Sequence, residues 1–128
     1  MNANIPNYRS ECPLSTALDV IGDKWSLLIV RDMCMNKARY GDFLSSPEGI
    51  PTNILANRLR RLEVTGIIHK KLYQTKPLRY EYSLTTKGAN LLPVLQQLAI
   101  WAHQHVPECG VPPEWFLSAK PENLVKNY

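Results

Sequence analysis

The sequence predicts a mainly α chain carrying one small β-hairpin, an α+β fold, on three observations. Apolar residues recur at helical spacing through most of residues 14–65 and 85–105. Residues 67–84 break that rhythm, and Tyr80, Tyr82 and Leu84 alternate there with Arg79, Glu81 and Ser83. The 128 residues, 45% hydrophobic, suffice for one modest core without metal or disulfide.

The elements follow in chain order. Leu14, Ala17, Leu18 and Ile21 form a helical stripe that Gly22 ends or bends. Asp23 is placed to cap the next helix, about 24–35, whose Trp25, Leu27, Leu28, Ile29, Val30 and Met33 leave so little polar surface that it belongs at the centre of the core. A turn at 36–39 leads to a short helix from Tyr40 to Ser46, with Tyr40, Phe43 and Leu44 apolar, and Pro47 forbids easy continuation. A helix over about 51–65 comes next, then strands at Ile67–Tyr73 and Arg79–Leu84 joined by a five-residue loop at 74–78. Thr85 or Thr86 caps a last long helix to about His105, which Pro93 should kink or deprive of a hydrogen bond. Residues 1–106 are therefore read as one domain. Residues 107–128 are a proline-rich extension whose Trp115, Phe116 and Leu117 are too apolar to stay solvated, so it should dock on the domain or its dimer.

The segment 49–66 carries most of the functional information. As a helix it places Leu55, Leu59 and Leu62 on one face and Asn53, Asn57 and Arg60 on the opposite one, and Gly66 stops it. Asn and Arg are the side chains that bond bidentately to adenine and guanine edges in the major groove. A helix, a turn and this second helix, followed directly by a hairpin, is the layout of a winged helix-turn-helix. Charge is segregated in the same region. Residues 50–88 hold eight basic and two acidic residues, whereas the rest holds seven basic and nine acidic. That distribution favours a phosphate-binding surface over a merely solvated face.

Other classes find little support. No apolar run approaches the ~20 residues needed to span a bilayer, and the N-terminus lacks the basic-then-apolar order of a signal peptide, so a soluble, cytoplasmic protein is expected. Cys12, Cys34 and Cys109 are too far apart for a zinc-ligand pattern, and His69, His103 and His105 form no metal set. No catalytic triad, carboxylate pair or phosphate loop occurs, so neither an enzyme, a cofactor nor a metal is expected.

Cys12-Pro13, Gly22-Asp23-Lys24-Trp25, the run Leu55–Leu62 with Gly66, and Tyr82-Ser83-Leu84-Thr85 stand in an order and spacing that resembles the HxlR-type transcriptional regulators, winged-helix proteins related in fold to the MarR regulators. The resemblance covers about residues 12–105. It implies a homodimer on a double-stranded operator of two related half-sites, with the first and last helices as the interface. Leu14, Leu18, Leu91, Leu95, Leu98 and Trp101 are then the dimerisation residues. Some members of the family sense electrophiles or oxidants through an N-terminal cysteine, and Cys12 holds that position; an inert cysteine is the other reading. Its place before a helix, where the dipole favours a thiolate, and the nearness of Arg9 in sequence fit the first. The effector, oxidant or small molecule, is left open. Cys34 is expected to be core packing. Two features depart from the family pattern: Pro51 stands where Ser or Thr often caps the reading helix, and the chain continues well past His105.

On this reading Thr52 and Asn53 lie nearest the bases or the first phosphates, with Asn57 and Arg60 further along the same face. Arg61 at the flank and Arg39 at the start of the preceding helix are expected on phosphates, and Lys76 and Arg79 at the hairpin tip on the minor groove. Arg58, near the buried edge, is expected to pair with an acid. The alternative function is a winged-helix module that docks an acidic protein, without preference for DNA sequence.

Overall fold

The computed structural model describes residues 7–125; the first six and last three residues of the two predicted segments lie outside the described residues. Helices α1 (Pro13–Ile21), α2 (Ser26–Cys34), α3 (Tyr40–Leu44) and α4 (Thr52–Val64) precede a hairpin of β1 (Ile68–Thr75) and β2 (Leu78–Leu84). Then come α5 (Thr86–Ala89), α6 (Leu92–His105), α7 (Glu114–Ser118) and a 3₁₀ turn, Pro121–Asn123. Among the described residues no helix is long and apolar enough to cross a membrane.

The core joins α2 and α4 to the base of the hairpin and to α6. Val30, Leu55, Leu62 and Leu92 are fully buried there, beside Phe43, Ile68 and Leu84. Each such aliphatic side chain contributes about 1.5–3 kcal/mol by leaving water. Helix α2 starts at Ser26, two residues later than expected, with Trp25 at the N-cap position, and Asp23 serves its first N–H groups from further ahead. The Asp23 carboxylate accepts the Trp25 and Ser26 N–H groups at 3.0 and 3.1 Å and the Ser26 hydroxyl at 2.6 Å.

Gly66 ends α4 at φ +79°, with Ile67 N–H returning to the Leu62 carbonyl and Gly66 N–H to that of Glu63. That pair of bonds is a Schellman cap, which needs the left-handed conformation glycine adopts without strain. It turns the chain directly into β1.

The hairpin is antiparallel, with Ile68 opposite Leu84 and Thr75 opposite Leu78, and a bulge at Tyr73. The expected five-residue loop is shorter in fact: the strands continue to Thr75 and from Leu78, leaving Lys76 and Pro77 as the turn. The chain ahead of α3 meets this two-stranded sheet at an isolated bridge between Arg39 and Glu81, and Tyr82 N–H donates to the Ala38 carbonyl at 2.7 Å.

The single long helix expected from 85 to 105 is two helices. Thr85 caps α5, accepting from Gly88 N–H at 3.1 Å, and Gly88 lies so close to the Ile67 carbonyl that a Cβ would sit 2.0 Å from that oxygen. Pro93 has no N–H to give the Ala89 carbonyl, so the helix stops and restarts at Leu92, with Pro93 in the tolerant first turn of α6. Beyond α6, Phe116 of α7 enters the core. The Gln96 amide holds that segment by donating to the carbonyls of Phe116, Leu117 and Ala119 at 2.9, 3.3 and 3.0 Å.

Candidate nucleic-acid interface

Three leucines set the orientation of α4. Leu55, Leu59 and Leu62 are buried, so Thr52, Asn53 and Arg60 project outward and are exposed. Pro51 occupies the N-cap position without a side-chain bond, which fixes the start of the helix at Thr52. Tyr40, read from sequence only as an apolar residue of α3, does more than pack. Its hydroxyl donates to the Thr52 carbonyl at 2.7 Å and fixes the first turn of α4 against α3.

The remaining polar residues of α4 are tied inward. Arg58 pairs with Asp23 at 2.8 Å, as its position at the buried edge predicts. Burial opposes ionisation of Asp23, but bonds from Ser26, Arg58 and the Trp25 N–H outweigh it and hold the carboxyl below the usual carboxylate range. Asn57, expected in front with Asn53, is half-buried, and its Oδ1 accepts from Arg58 Nη1 at 2.5 Å. Arg61, expected at the flank on a phosphate, turns inward instead: its guanidinium donates to the Asp19 carbonyl at the end of α1, and its Nε is buried. The α1–α2 side of the molecule lies against this side of α4: the Asp23 carboxylate draws in the Arg58 guanidinium, which also donates to Asn57, and the Asp19 carbonyl accepts from Arg61.

The hairpin borders the other side of α4. Arg60 shares a cleft of about 190 Å³ with Glu63, Lys70, Tyr40 and Tyr82. An adjoining cleft of about 320 Å³ shares Tyr40 and Tyr82 and continues to Arg39, Tyr73 and Arg79. Arg39, expected on a phosphate, is held by Glu81 at 2.9 Å and lies 4.0 Å over the Tyr73 ring, though it stays exposed. Lys70 is occupied by Glu63 at 3.6 Å and the Tyr80 ring at 4.5 Å. Lys87 donates to the Thr65 carbonyl at 2.6 Å. Arg60 and, at the hairpin end, Lys76 and Arg79 are exposed and make no ion pair among the described residues. Of the eight basic residues of 50–88, Arg58 and Lys70 are thus paired with carboxylates, whereas Lys87 donates only to a carbonyl and keeps its charge at the surface.

A second connection escaped the sequence reading. Arg31 of α2 pairs with both Asp32 and Glu48 at 2.8 Å, and the buried Asp32 carboxylate accepts the Ser46 hydroxyl, to which Lys37 also donates at 3.0 Å. These bonds tie α2 to the turn between α3 and α4. The available signal was an adjacent cation and acid, Arg31 and Asp32, inside a mostly apolar helix.

Of the predicted interface residues, Leu14, Leu18, Leu98 and Trp101 are exposed, at 68, 51, 51 and 59%. Leu95 is buried in the protomer's own core and Leu91 is half-buried, because this side of the segment faces the core, where α6 packs against α2. Cys12 is exposed immediately before α1, and Arg9, expected near it, pairs with Asp19 at 2.6 Å instead. Cys34 is buried, and burial pushes its thiol up to about 11, as befits core packing. Among the described residues no group of His, Cys, Asp and Glu is placed to hold a metal.

The chain is 36% identical to the HTH-type transcriptional regulator sll1512 of Synechocystis sp. over 78% of this chain and 77% of that one. Its structure superposes on that of PA1607 with a TM-score of 0.72 at 38% identity, covering 81% and 73% of the two chains. It superposes on the redox regulator HypR in its oxidised form with a TM-score of 0.66 at 36% identity, covering 73% and 97%. The winged helix-turn-helix built from α3, α4 and the hairpin coincides with a match of residues 20–109 to the HxlR-like helix-turn-helix family, and the chain belongs to that family of transcriptional regulators.

Proposed function

We propose that this protein binds operator DNA sequence-specifically as a homodimer, with α4 in the major groove and the hairpin, as the wing, at the adjacent minor groove. The observation that carries this reading is the state of α4. Thr52, Asn53 and Arg60 are free on its outer face, while Asn57, Arg58 and Arg61 are bonded within the molecule. Asn53 and Arg60 are assigned to base edges and Thr52 to the first phosphates. Asn57 is kept as a base contact that must exchange its bond to Arg58 for one to DNA. Lys76 and Arg79 meet the minor groove or its phosphates, and Arg39 meets phosphate while keeping Glu81 as its support. Arg61 acts through the helix it anchors.

The dimer is assigned to α1 and α6 through Leu14, Leu18, Leu98 and Trp101, whose exposure gives a monomer an apolar surface it has reason to cover. Residues 1–106 are the DNA-binding and dimerising unit, and 107–128 an extension docked on it through Phe116 and Gln96. Selection of bound fragments from a random duplex pool tests the proposal. Enrichment of two related half-sites is expected, and a pool that stays random would leave the winged helix as a protein-docking module.

Cys12 is assigned the role of an oxidant-responsive thiol on its exposure beside α1 and the likeness to HypR, a redox regulator. Diamide is expected to weaken operator binding by the wild type at least fivefold and to leave Cys12→Ser unaffected in a fluorescence-anisotropy titration. Equal responses in the two proteins would remove the assignment.

A further inference from the structure

A cavity of about 420 Å³ lies between α2, α6 and the C-terminal extension, remote from the outer face of α4. Leu27 and Leu28 line it from α2, Leu98 and Ala99 from α6, and Trp115 and Phe116 from the extension. The volume is that of a small-molecule site. Its extension wall, including Pro112 and Pro113, follows the last residue of the family match at 109, so this wall belongs to the chain and not to the shared domain.

The charge of the lining selects the ligand. Arg31 is its one ionisable residue, and four guanidinium bonds already go to Asp32 and Glu48. With two carboxylates on one cation, nothing in the wall attracts an anion. The rest is aliphatic or aromatic, with Trp115 and Phe116 set edge-to-face at 5.8 Å between centroids. Leu98 also belongs to the proposed dimer face, so the site requires that dimer to leave this concavity open; walled on three sides, one wall being this chain's own extension, it fits a compact molecule better than the convex face of a second copy.

We infer that this cavity is an effector site for a neutral, apolar, aromatic small molecule. Its route to DNA is Arg31, which stands in the wall and grips Glu48 in the turn ahead of α4. A ligand pressing on α2 changes the angle at which α4 is presented; this regulatory half rests on the operator-binding reading above.

The neutral fluorophore N-phenyl-1-naphthylamine is the probe, titrated into the full-length protein. Saturable uptake of one probe per protomer is expected, independent of protein concentration. Ala99→Phe, which fills the cavity, and Trp115→Ala, at a half-exposed position, should each weaken uptake at least tenfold. Leu72→Ser, an exposed apolar residue on the hairpin, should leave it unchanged. Saturating probe should shift affinity for the selected operator at least threefold. Unsaturable uptake, uptake indifferent to both cavity variants, or uptake that vanishes as the protein self-associates would overturn the site, the last because a second copy then fills it. Probe binding without any effect on operator affinity would overturn the regulatory half. A protein that takes up probe but selects no DNA would sink the operator reading and leave the site standing.

Discussion

Replacing Asn53 and Arg60 together with Ala is expected to lower the preference for the selected operator over random duplex roughly 30-fold or more, with no change in melting temperature. Each base-edge contact supplies about 1–3 kcal/mol of discrimination, so losing two removes at least about 2 kcal/mol, and tenfold corresponds to about 1.4 kcal/mol. Stability should hold because both side chains are exposed and lie away from the leucine face of α4. Competitive titration against specific and scrambled duplexes, alongside thermal melting, checks both halves. The control contrast is Lys76→Ala, which should weaken all sequences alike and flatten the salt dependence by about one unit of slope. A double variant that retains the wild-type preference would mean that α4 does not read bases.

Asp23→Ala is expected to destabilise the protein by about 2–3 kcal/mol, through loss of helix-cap bonds and of acceptors for a buried hydroxyl and a half-buried guanidinium. Asp23 holds two N–H groups at the start of α2, the fully buried Ser26 hydroxyl and, across the domain, Arg58 of α4. One carboxylate therefore caps the central helix and anchors the reading helix. The effect has a defined pH dependence. The folded carboxyl titrates lower than the unfolded one, so its contribution is complete above the unfolded pKa of about 3.9 and is lost as pH falls through the folded value. Chemical denaturation at pH 7 should separate wild type and variant by the full amount, and the gap should narrow as pH falls below the unfolded pKa and through the folded one. A constant gap across that range would show that the charge on Asp23 does not matter.

The sequence by itself determined the order of elements as far as the hairpin, the leucine face of α4, the turn at Gly66 and the wing that follows. Each rests on a local rule: side-chain periodicity, a glycine free to take positive φ, or strand alternation. It also determined that Arg58 seeks an acid and that Cys34 is inert, since position on a helical wheel decides which residues meet the core. Only the tertiary structure decided which polar groups of α4 stay free. Asn57 and Arg61 share the wheel's outer half with Asn53 and Arg60, yet the α1–α2 junction happens to pack on their side and offers a carboxylate network and a carbonyl. In the same way Pro93 announced a disturbance, but only the structure shows that it divides the helix, α5 ending at Ala89 and α6 starting at Leu92. The extension was legible as apolar, and its wall of the cavity was not, because the partner of Trp115 and Phe116 is a surface assembled from two helices far apart in sequence, Leu27 and Leu28 of α2 and Leu98 and Ala99 of α6. Helical and strand periods are properties of neighbours in sequence; hydrogen-bond satisfaction and cavity shape are properties of neighbours in space, and those exist only once the core has formed.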